Sequence, residues 1–452
     1  MLLVVLCGAQ FMLVVDTTIV ALALPLIDEQ LGFGSPASLQ LVVSLYALTL
    51  GGSLIVAGRA ADLAGPKPAF IAGLVLFTVA SVGCGLALEP WHLLTARAVQ
   101  GVGAALTAAA GLTVLTRSYP AGRARHRALG AWGAVGGAAG AAGLVIGGVL
   151  TQALGWRSTF LINLPIGVII VAGAVAAISI DQRDRVDRKL NATGALALTA
   201  AIGLLIFGLG LINDRAAPPA ALPVTLAAAV AAAVIFAALE RRTSSPVLPS
   251  RIFALPGVVA SYLLAFTLNA VIAATLFFTT LFMQQLLRLG PLATGVGFLP
   301  NSVLVMVGAF LAGRLATRLG AWPILGAGSG VIMVGALVLA TVRWGGDYLF
   351  PVLPGFALIG LGLGLAFTAV TIAATERVPA ADQGTASGIL NTVQQLGFAI
   401  GIALIVTTAQ LASDPATGFS VGYLTCAAAL IIALAVGLPL SGKTVGRGGT
   451  GP

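Results

Sequence analysis

The chain has 452 residues, of which 59% are hydrophobic and only 8% are charged. A soluble globular domain carries about 25% charged residues, so this composition excludes a soluble fold and indicates a protein that lies in a lipid bilayer. The net charge of +9 does not indicate nucleic-acid binding, because the basic residues lie in short loops between apolar runs.

Fourteen apolar runs are each about long enough to cross a bilayer as a helix. They are 2–26, 40–57, 69–88, 93–115, 128–150, 160–180, 192–212, 220–239, 258–282, 295–313, 323–342, 350–371, 384–408 and 421–440. The runs lack the alternation of a membrane β-barrel, so the predicted fold class is an all-α polytopic membrane protein. The first run has no basic start, which favours a membrane helix over a signal peptide, and a native leader before it stays open.

The basic residues predict the orientation of these helices. With both termini in the cytoplasm, inner loops and the C-terminal tail hold 18 of the 23 Lys and Arg residues, and outer loops hold four. The remaining one is Arg97, inside the fourth span. Because basic loops stay on the cytoplasmic side, we expect a multi-pass protein of the cell membrane, plasma or inner, with both ends inside.

A short loop pattern occurs twice, as GRAADLAG at 58–65 and GRLATRLG at 313–320, which are 255 positions apart. The repeat predicts two six-helix bundles with two inserted helices, a plan in which a substrate site lies between two halves. The predicted domains are an N-terminal bundle at 1–180, a linker with the inserted helices at 181–251, a C-terminal bundle at 252–442 and a tail at 443–452.

Asp16 and Arg97 are the charged residues that lie well inside spans. A buried carboxylate must be neutralised, paired or hydrated, and it is suited to bind and release protons. Arg97 is a candidate partner for it. The alternatives are a structural hydrogen bond from Asp16 to Thr17, Thr18 or another helix, and an Arg97 side chain that reaches the interface.

Two further motifs have both a functional and a structural interpretation. Asp62 in the first repeated loop is a candidate gate residue that caps a helix N-terminus or pairs with Arg59 or Lys67, and the alternative is a solvated loop acid. Because Thr317 occupies the equivalent place in the second copy, the predicted gate is one-sided. The fifth span has GxxxG-spaced glycines, which predict close helix packing.

Polar residues inside other spans are candidates for a substrate cavity, or they join helices by hydrogen bonds. They are Tyr46, Gln100, Asn269, Gln284, Asn301, Asn391 and Gln394. Cys7, Cys84 and Cys426 have no metal-ligand spacing, so no metal site is predicted. The chain lacks a GxxxxGK[ST] loop and a catalytic triad pattern, so neither ATP use nor an enzyme is expected, and His92 and His126 are interpreted as isolated loop residues.

These motifs resemble those of the major facilitator superfamily, in particular its fourteen-helix drug–proton antiporter branch. The matching segments are DTTIVALALP at 16–25, the loop at 58–67, RAVQGVGAA at 97–105, the glycines of the fifth span, and WRSTFLINLPIG at 156–167. The resemblance implies a proton-driven exporter of lipophilic, often cationic drugs and antibiotics, a monomer that needs no cofactor. Uptake, or export of one dedicated metabolite, stays open as the alternative.

The resemblance also implies roles for individual residues. Asp16 and Arg97 would couple transport to protons. The gating loop would comprise Gly58, Arg59, Asp62, Gly65 and Lys67, and the antiporter glycines would be Gly136, Gly140, Gly143, Gly147 and Gly148. The chain departs from the branch at Ala21, Leu63, Pro66 and Leu144, and it lacks the extra acids that some members carry in their second half, which weakens the case for multivalent cations.

Overall fold

A computed structural model describes most of the chain. The described residues are 1–33, 36–120, 122–179, 191–211, 218–243, 246–283, 287–288, 291–341, 348–350, 352–410 and 415–442. Within these ranges the regular structure is helical and contains no β-strand. Long apolar sequences form helices in lipid because a helix satisfies its own backbone hydrogen bonds.

Sixteen α-helices are present in the described residues. The first nine are α1 (Leu2–Leu31), α2 (Pro36–Ala64), α3 (Pro66–Gly85), α4 (Pro90–Ser118), α5 (Arg123–Leu154), α6 (Arg157–Leu161), α7 (Asn163–Ala177), α8 (Ala192–Leu211) and α9 (Ala221–Glu240). The others are α10 (Val258–Leu281), α11 (Pro291–Gly297), α12 (Leu299–Leu319), α13 (Ala321–Leu339), α14 (Val352–Thr375), α15 (Gln383–Gln410) and α16 (Pro415–Gly442).

Eleven helical segments of the described chain are long and apolar enough to cross a membrane. A twelfth is present if Arg123–Gly140 and Val145–Leu154 form one bent span, and Thr193–Leu209 is a shorter apolar helix. Large apolar side chains such as Val168, Ile169 and Ile432 lie on the outside, which is typical of lipid-facing surfaces. Each of the fourteen predicted spans overlaps at least one helix in the described residues, and the number that cross the membrane stays a prediction.

The chain divides into two compact units. Unit 1 comprises Met1–Tyr119, Ala138–Leu248 and Ala380–Thr392, and unit 2 comprises Pro120–Gly137, Pro249–Pro379 and Val393–Pro452. The beginning of α5 therefore belongs to unit 2, and the beginning of α15 belongs to unit 1. The predicted domain boundaries stay a prediction.

Each unit has its own pattern of helix packing. In unit 1, α4 packs against α2 and α3, α7 packs against α1 and α3, and the predicted insert forms a pair, α8 and α9, that contacts the bundle through α2. In unit 2, α14 packs against α10, α12 and α13, and α16 packs against α10 and α13. Ala229 is the one buried residue of α9, and the other residues of this helix are partly or fully exposed.

The repeated sequence pattern forms the same corner in both units. α2 ends at Ala64 and α12 ends at Leu319, and a glycine with positive φ follows each, Gly65 at 97° and Gly320 at 77°. The next helix begins at the residue after each glycine. Glycine adopts positive φ without steric strain, so the pattern places a sharp turn between two antiparallel helices.

Candidate functional site

Asp16 lies in the middle of α1 and is 1% exposed. Its Oδ2 accepts a hydrogen bond from Arg97 Nη1 at 2.9 Å. Its Oδ1 accepts one from Gln100 Nε2 at 2.9 Å and another from Asn163 Nδ2 at 2.8 Å. The carboxylate is therefore paired and hydrogen-bonded inside unit 1, which is the arrangement that a buried charge requires.

Arg97 is as deeply buried as Asp16, with 1% exposure. Its Nε donates to the carbonyl oxygen of Val42 at 2.9 Å, and its guanidinium carbon lies 4.2 Å from the ring centroid of Tyr46. A guanidinium over an aromatic face is favourable, and more so where water is excluded. The alternative of an arginine that reaches the membrane interface is therefore wrong, because the side chain is held by α1 and α2.

The local sequence of α4 explains how this site forms. Arg97 and Gln100 are three residues apart and share one helix face, so both reach Asp16. At Gly101, a Cβ atom would lie 2.5 Å from the carbonyl oxygen of Tyr46. Glycine at this position therefore lets α2 approach α4 closely, and the approach brings the Val42 carbonyl and the Tyr46 ring to Arg97.

Sequence reasoning missed two residues of this site, Ser81 on α3 and Asn163 at the beginning of α7. Ser81 Oγ accepts hydrogen bonds from Gln100 Nε2 at 2.6 Å and from Asn163 Nδ2 at 3.2 Å. Both residues are buried. A signal was present in the sequence, because Asn163 is the asparagine within the matching segment 156–167.

The segment that carries Asn163 is anchored at its other end. Trp156 Nε1 donates to Gln30 Oε1 at 2.9 Å, and Arg157 Nη2 donates to the carbonyl oxygen of Ala87 at 2.9 Å. Trp156 and Phe160 are fully buried and their rings meet edge to face at 6.1 Å. These contacts fix the segment against the ends of α1 and α3 and so position the Asn163 amide.

The five side chains Asp16, Ser81, Arg97, Gln100 and Asn163 form one buried polar network, which we call the Asp16 site. The carboxylate receives three donors, and an ionised carboxylate is stabilised by hydrogen bonds of this kind. Its charge is balanced by Arg97. A proton that reaches Asp16 would weaken the attraction to Arg97, so the site is chemically able to convert proton binding into a change of helix contacts.

A second acidic site lies at the end of α2. Asp62 is 5% exposed. Its Oδ1 accepts a hydrogen bond from the Gly384 backbone N–H at 2.8 Å. Its Oδ2 accepts one from the Thr385 backbone N–H at 2.7 Å and another from Thr385 Oγ1 at 2.8 Å. The carboxylate caps the N-terminus of α15, where backbone N–H groups lack partners within the helix and the helix dipole favours negative charge. The alternative of a solvated loop acid is wrong.

A basic residue beside Asp62 that the sequence did not predict is Arg117. Arg117 at the end of α4 places Nη2 3.3 Å from Asp62 Oδ1 and donates to the carbonyl oxygen of Ala380 at 2.5 Å. Lys67 instead donates to the carbonyl oxygens of Val175 and Ile178 at 2.9 and 2.7 Å. The predicted Lys67 partnership is therefore wrong, because the lysine reaches the unsatisfied carbonyls at the end of α7.

The rest of the predicted gating loop lies in the same corner. Gly58 faces α15 so closely that a Cβ atom would overlap the backbone of Gly384 and lie 3.2 Å from Cα of Gly388. Arg59 is buried with 3% exposure. Gly65 forms the positive-φ turn into α3. The loop thus combines a close helix contact with a charged cap.

The predicted antiporter glycines of α5 divide into two kinds. A Cβ atom at Gly143 would collide with Thr18, and one at Gly147 would lie 2.6 Å from the Ile19 side chain, so these two glycines pack directly against α1. Gly140 and Gly148 have nothing within 4 Å of that position, and Gly136 is partly exposed. Close packing is confirmed at Gly143 and Gly147, and a role in antiport stays a prediction. Leu144, one of the positions at which the chain departs from the branch, has a side chain outside the described residues.

The predicted cavity residues are dispersed. Tyr46 and Gln100 belong to the surroundings of Asp16. Asn269 donates to the carbonyl oxygen of Ala265 and Asn391 to that of Ser387, each on its own helix. Asn301 donates to the carbonyl oxygen of Phe356 at 2.7 Å and so joins α12 to α14. Gln394 is buried, and Gln284 lies outside the described residues.

A contact between His126 and Glu376 in unit 2 was also missed. His126 is not a loop residue, because it lies in the first turn of α5 and is 5% exposed. Its Nε2 is 3.6 Å from Glu376 Oε1, just beyond the end of α14. The neighbouring His126 lowers the pKa of Glu376 below its usual value, with smaller contributions in the same direction from Arg377 and Arg125.

Comparisons with known proteins show the family to which this chain is similar. The family model described as Major Facilitator Superfamily matches residues 6–402. The chain is 36% identical over 408 residues to a cephamycin export protein, CmcT, of Amycolatopsis lactamdurans, which covers 90% of this chain and 84% of the relative. It is 33% identical over 434 residues to the puromycin resistance protein pur8 of Streptomyces alboniger, which covers 93% and 82%.

A solved structure with a similar fold is the crystal structure of the human organic anion transporter MFSD10 (TETRAN). The TM-score is 0.71 with 15% sequence identity, and the match covers 96% of this chain and 98% of that one. At this identity the likeness concerns the fold alone.

Proposed function

The chain belongs to the Major Facilitator Superfamily, and from this premise we propose that it exports small lipophilic organic molecules, antibiotics among them, in exchange for protons. Membership makes it a multi-pass membrane transporter rather than an enzyme. The similarity to a cephamycin export protein and to a puromycin resistance protein supports antibiotics as the substrate class.

The main support for proton coupling is the buried ion pair of Arg97 and Asp16. Arg97 Nη1 lies 2.9 Å from Asp16 Oδ2, and both residues are 1% exposed. A charge pair in a membrane span is expensive to bury, and such residues mark proton and substrate pathways. When Asp16 binds a proton, the pair loses its attraction and Arg97 keeps an uncompensated charge. The helices that carry them, α1 and α4, then favour a different arrangement.

Alternating access requires contacts that hold one arrangement and break in the other. We assign this role to the cap of α15 by Asp62, because it consists of three hydrogen bonds and one ion pair that open together. The excess of Lys and Arg in alternate loops supports a topology in which this corner and both termini face the cytoplasm. The working unit would be a monomer in the cell membrane, driven by the proton gradient, without ATP, cofactor or nucleic acid.

The substrate need not be a cation. Within the Asp16 site the charges of Asp16 and Arg97 cancel, so the ionised site offers no net negative charge to a cationic compound. A protonated Asp16 would leave Arg97 as the net charge, which favours neutral or anionic compounds. Export of one dedicated metabolite, or uptake on the same fold, stays the second candidate.

Inverted membrane vesicles with an imposed pH gradient test the proposal. Addition of a substrate panel, with puromycin, a cephamycin and lipophilic cations, should release protons from vesicles that contain the protein. Vesicles that contain Asp16→Asn should show no coupled release. Transport by Asp16→Asn with normal coupling would contradict the assignment of the proton site. A response to a single compound class would favour the dedicated exporter, and accumulation in the opposite direction would favour uptake.

A further inference from the structure

We propose that Asn163 is the residue of the Asp16 site whose side-chain amide reverses when Asp16 binds a proton. In the ionised site Asn163 Nδ2 donates to the carboxylate, and after protonation Asn163 Oδ1 accepts from the carboxylic acid. The inference rests on the proposed function, because it concerns how a proton-coupled transporter accommodates the proton at Asp16.

The partners of the Asp16 carboxylate are arranged for the ionised form. Oδ2 faces an N–H of Arg97, and Oδ1 faces the amide nitrogens of Gln100 and Asn163. Guanidinium and amide NH groups donate and do not accept. A proton placed on Asp16 would therefore point at a donor, so at least one partner must turn or withdraw before the acid is satisfied.

Two of the three partners are held in their present orientation. Arg97 has no acceptor atom to offer. Gln100 Oε1 accepts from Arg97 Nη1 at 2.7 Å, and reversal of this amide would bring its NH₂ group against the guanidinium. Both residues therefore remain donors towards Asp16 whatever its protonation state.

Asn163 is not held in this way. Besides Asp16 Oδ1, its Nδ2 contacts Ser81 Oγ at 3.2 Å. A hydroxyl can both donate and accept, so Ser81 can follow a reversal of the Asn163 amide by turning its own hydrogen. The two ends of an asparagine amide are nearly equal in size, so the reversal also suits a side chain that is 2% exposed.

The proton balance of the step is simple. One proton from outside the site binds Asp16 Oδ1, the amide of Asn163 reverses, and the new O–H donates to Asn163 Oδ1. Ser81 Oγ changes from acceptor to donor towards Asn163 and keeps its acceptor contact with Gln100. Release of the proton runs through the same contacts in reverse, and no other bond is formed or broken.

Infrared difference spectra of the purified full-length protein in liposomes, recorded against pH, give a direct readout. The band of a protonated carboxyl that is missing in Asp16→Asn reports Asp16. Asn163→Leu removes both the donor and the acceptor. Because a hydrogen bond to a charged carboxylate is stronger than one from a neutral acid, the midpoint of this titration should rise by about one pH unit. The carbonyl band should also move to higher frequency, because the acid loses its acceptor.

Two further variants complete the test. Asn163→Asp has nearly the same shape as the wild type and replaces the leucine variant if that variant does not fold. It should raise the midpoint of the Asp16 titration, because neighbouring carboxyl groups share one proton. Gln30→Leu is the matched control, since it removes a polar contact of the same segment at Trp156, away from Asp16. It should leave both midpoint and band unchanged.

An unchanged midpoint in Asn163→Leu, while the band still disappears in Asp16→Asn, would overturn the inference and leave the proposed function intact. A raised midpoint with an undisplaced band would also overturn it, because Asn163 would then act as a donor without reversing. Survival of the band in Asp16→Asn would instead contradict the proposed function itself, since Asp16 would not be the proton site.

Discussion

Asp62 on α2 and Thr385 on α15 are joined by two hydrogen bonds to one carboxylate oxygen. Asp62 Oδ2 accepts from the Thr385 backbone N–H at 2.7 Å and from Thr385 Oγ1 at 2.8 Å. The residues are 323 positions apart in the sequence, so the contact connects distant parts of the chain within unit 1. It is the kind of contact that a transporter must break if α2 and α15 separate during its cycle.

Replacement of this cap tests the gate. Asp62→Asn keeps the shape of the side chain but loses the negative charge and part of its acceptor capacity, which lowers the stability of the contact by about 1 kcal/mol. Leu54 lies eight residues before Asp62 on the same helix, α2, and is 1% exposed. Its carbonyl oxygen is close to Gly388 on α15. In a background without other cysteines, Leu54→Cys should react with a maleimide several-fold faster, up to about tenfold, when Asp62→Asn is added.

Thr317→Ala is the matched control for the gate. Thr317 occupies the place of Asp62 in the second copy of the loop, and its hydroxyl donates to the backbone of its own helix at Arg314. Its removal should leave the labelling rate of Leu54→Cys unchanged. Equal rates with and without Asp62→Asn would show that the Asp62 cap does not control opening.

The buried pair predicts strongly non-additive substitutions. Arg97→Met leaves the Asp16 carboxylate buried without its counter-charge, and the loss of one partner of such a pair costs about 3–5 kcal/mol. Asp16→Asn together with Arg97→Met removes both charges, so the double variant should recover most of the thermal stability in detergent that the single arginine variant loses. It should not recover proton coupling. Additive losses of stability in the double variant would contradict a direct pair.

Some of these features could be predicted from the sequence for clear physical reasons. Charges within apolar runs are conspicuous because they are expensive to bury, so Asp16 and Arg97 were identified, together with Gln100 one turn away. The repeated loop was identified because the same pattern occurs at 58–65 and at 313–320, and the structure adds that its last glycines adopt positive φ. Helix locations followed from hydropathy alone.

Other features depend on three-dimensional proximity that composition does not show. Ser81 and Asn163 are ordinary polar residues until α3 and α7 pack beside α1, and the partner of Asp62 was misassigned because Arg117 is distant in sequence. The amides Asn269 and Asn391 looked like cavity residues, yet each donates to the carbonyl four residues earlier on its own helix. Sequence spacing does not distinguish an amide that bonds its own backbone from one that faces a cavity.

The contact between His126 and Glu376 predicts a pH dependence with a definite sign. Because the pKa of Glu376 is lowered below its ordinary value of 4.5, its contribution to stability is complete above that value and is lost as the pH falls through the lowered one. The thermal stability of Glu376→Gln should therefore be lower than that of the wild type at pH 6, and the difference should shrink as the pH falls below 4.5. The carboxylate is about half exposed, so we expect a small shift. A difference that grows with acidification would contradict the stabilising contact.

The glycines of α5 provide the most sharply matched comparison in the chain. Gly143→Ala forces a Cβ atom into Thr18 and the backbone of Val15, whereas Gly148→Ala meets nothing within 4 Å. Overpacking of this kind costs about 1–3 kcal/mol, so Gly143→Ala should lower the thermal stability and the transport rate, and Gly148→Ala should change neither. If Gly148→Ala instead abolishes proton exchange while the protein stays stable, the glycines act in antiport beyond their packing. Equal tolerance of both substitutions would contradict the close contact of α5 with α1.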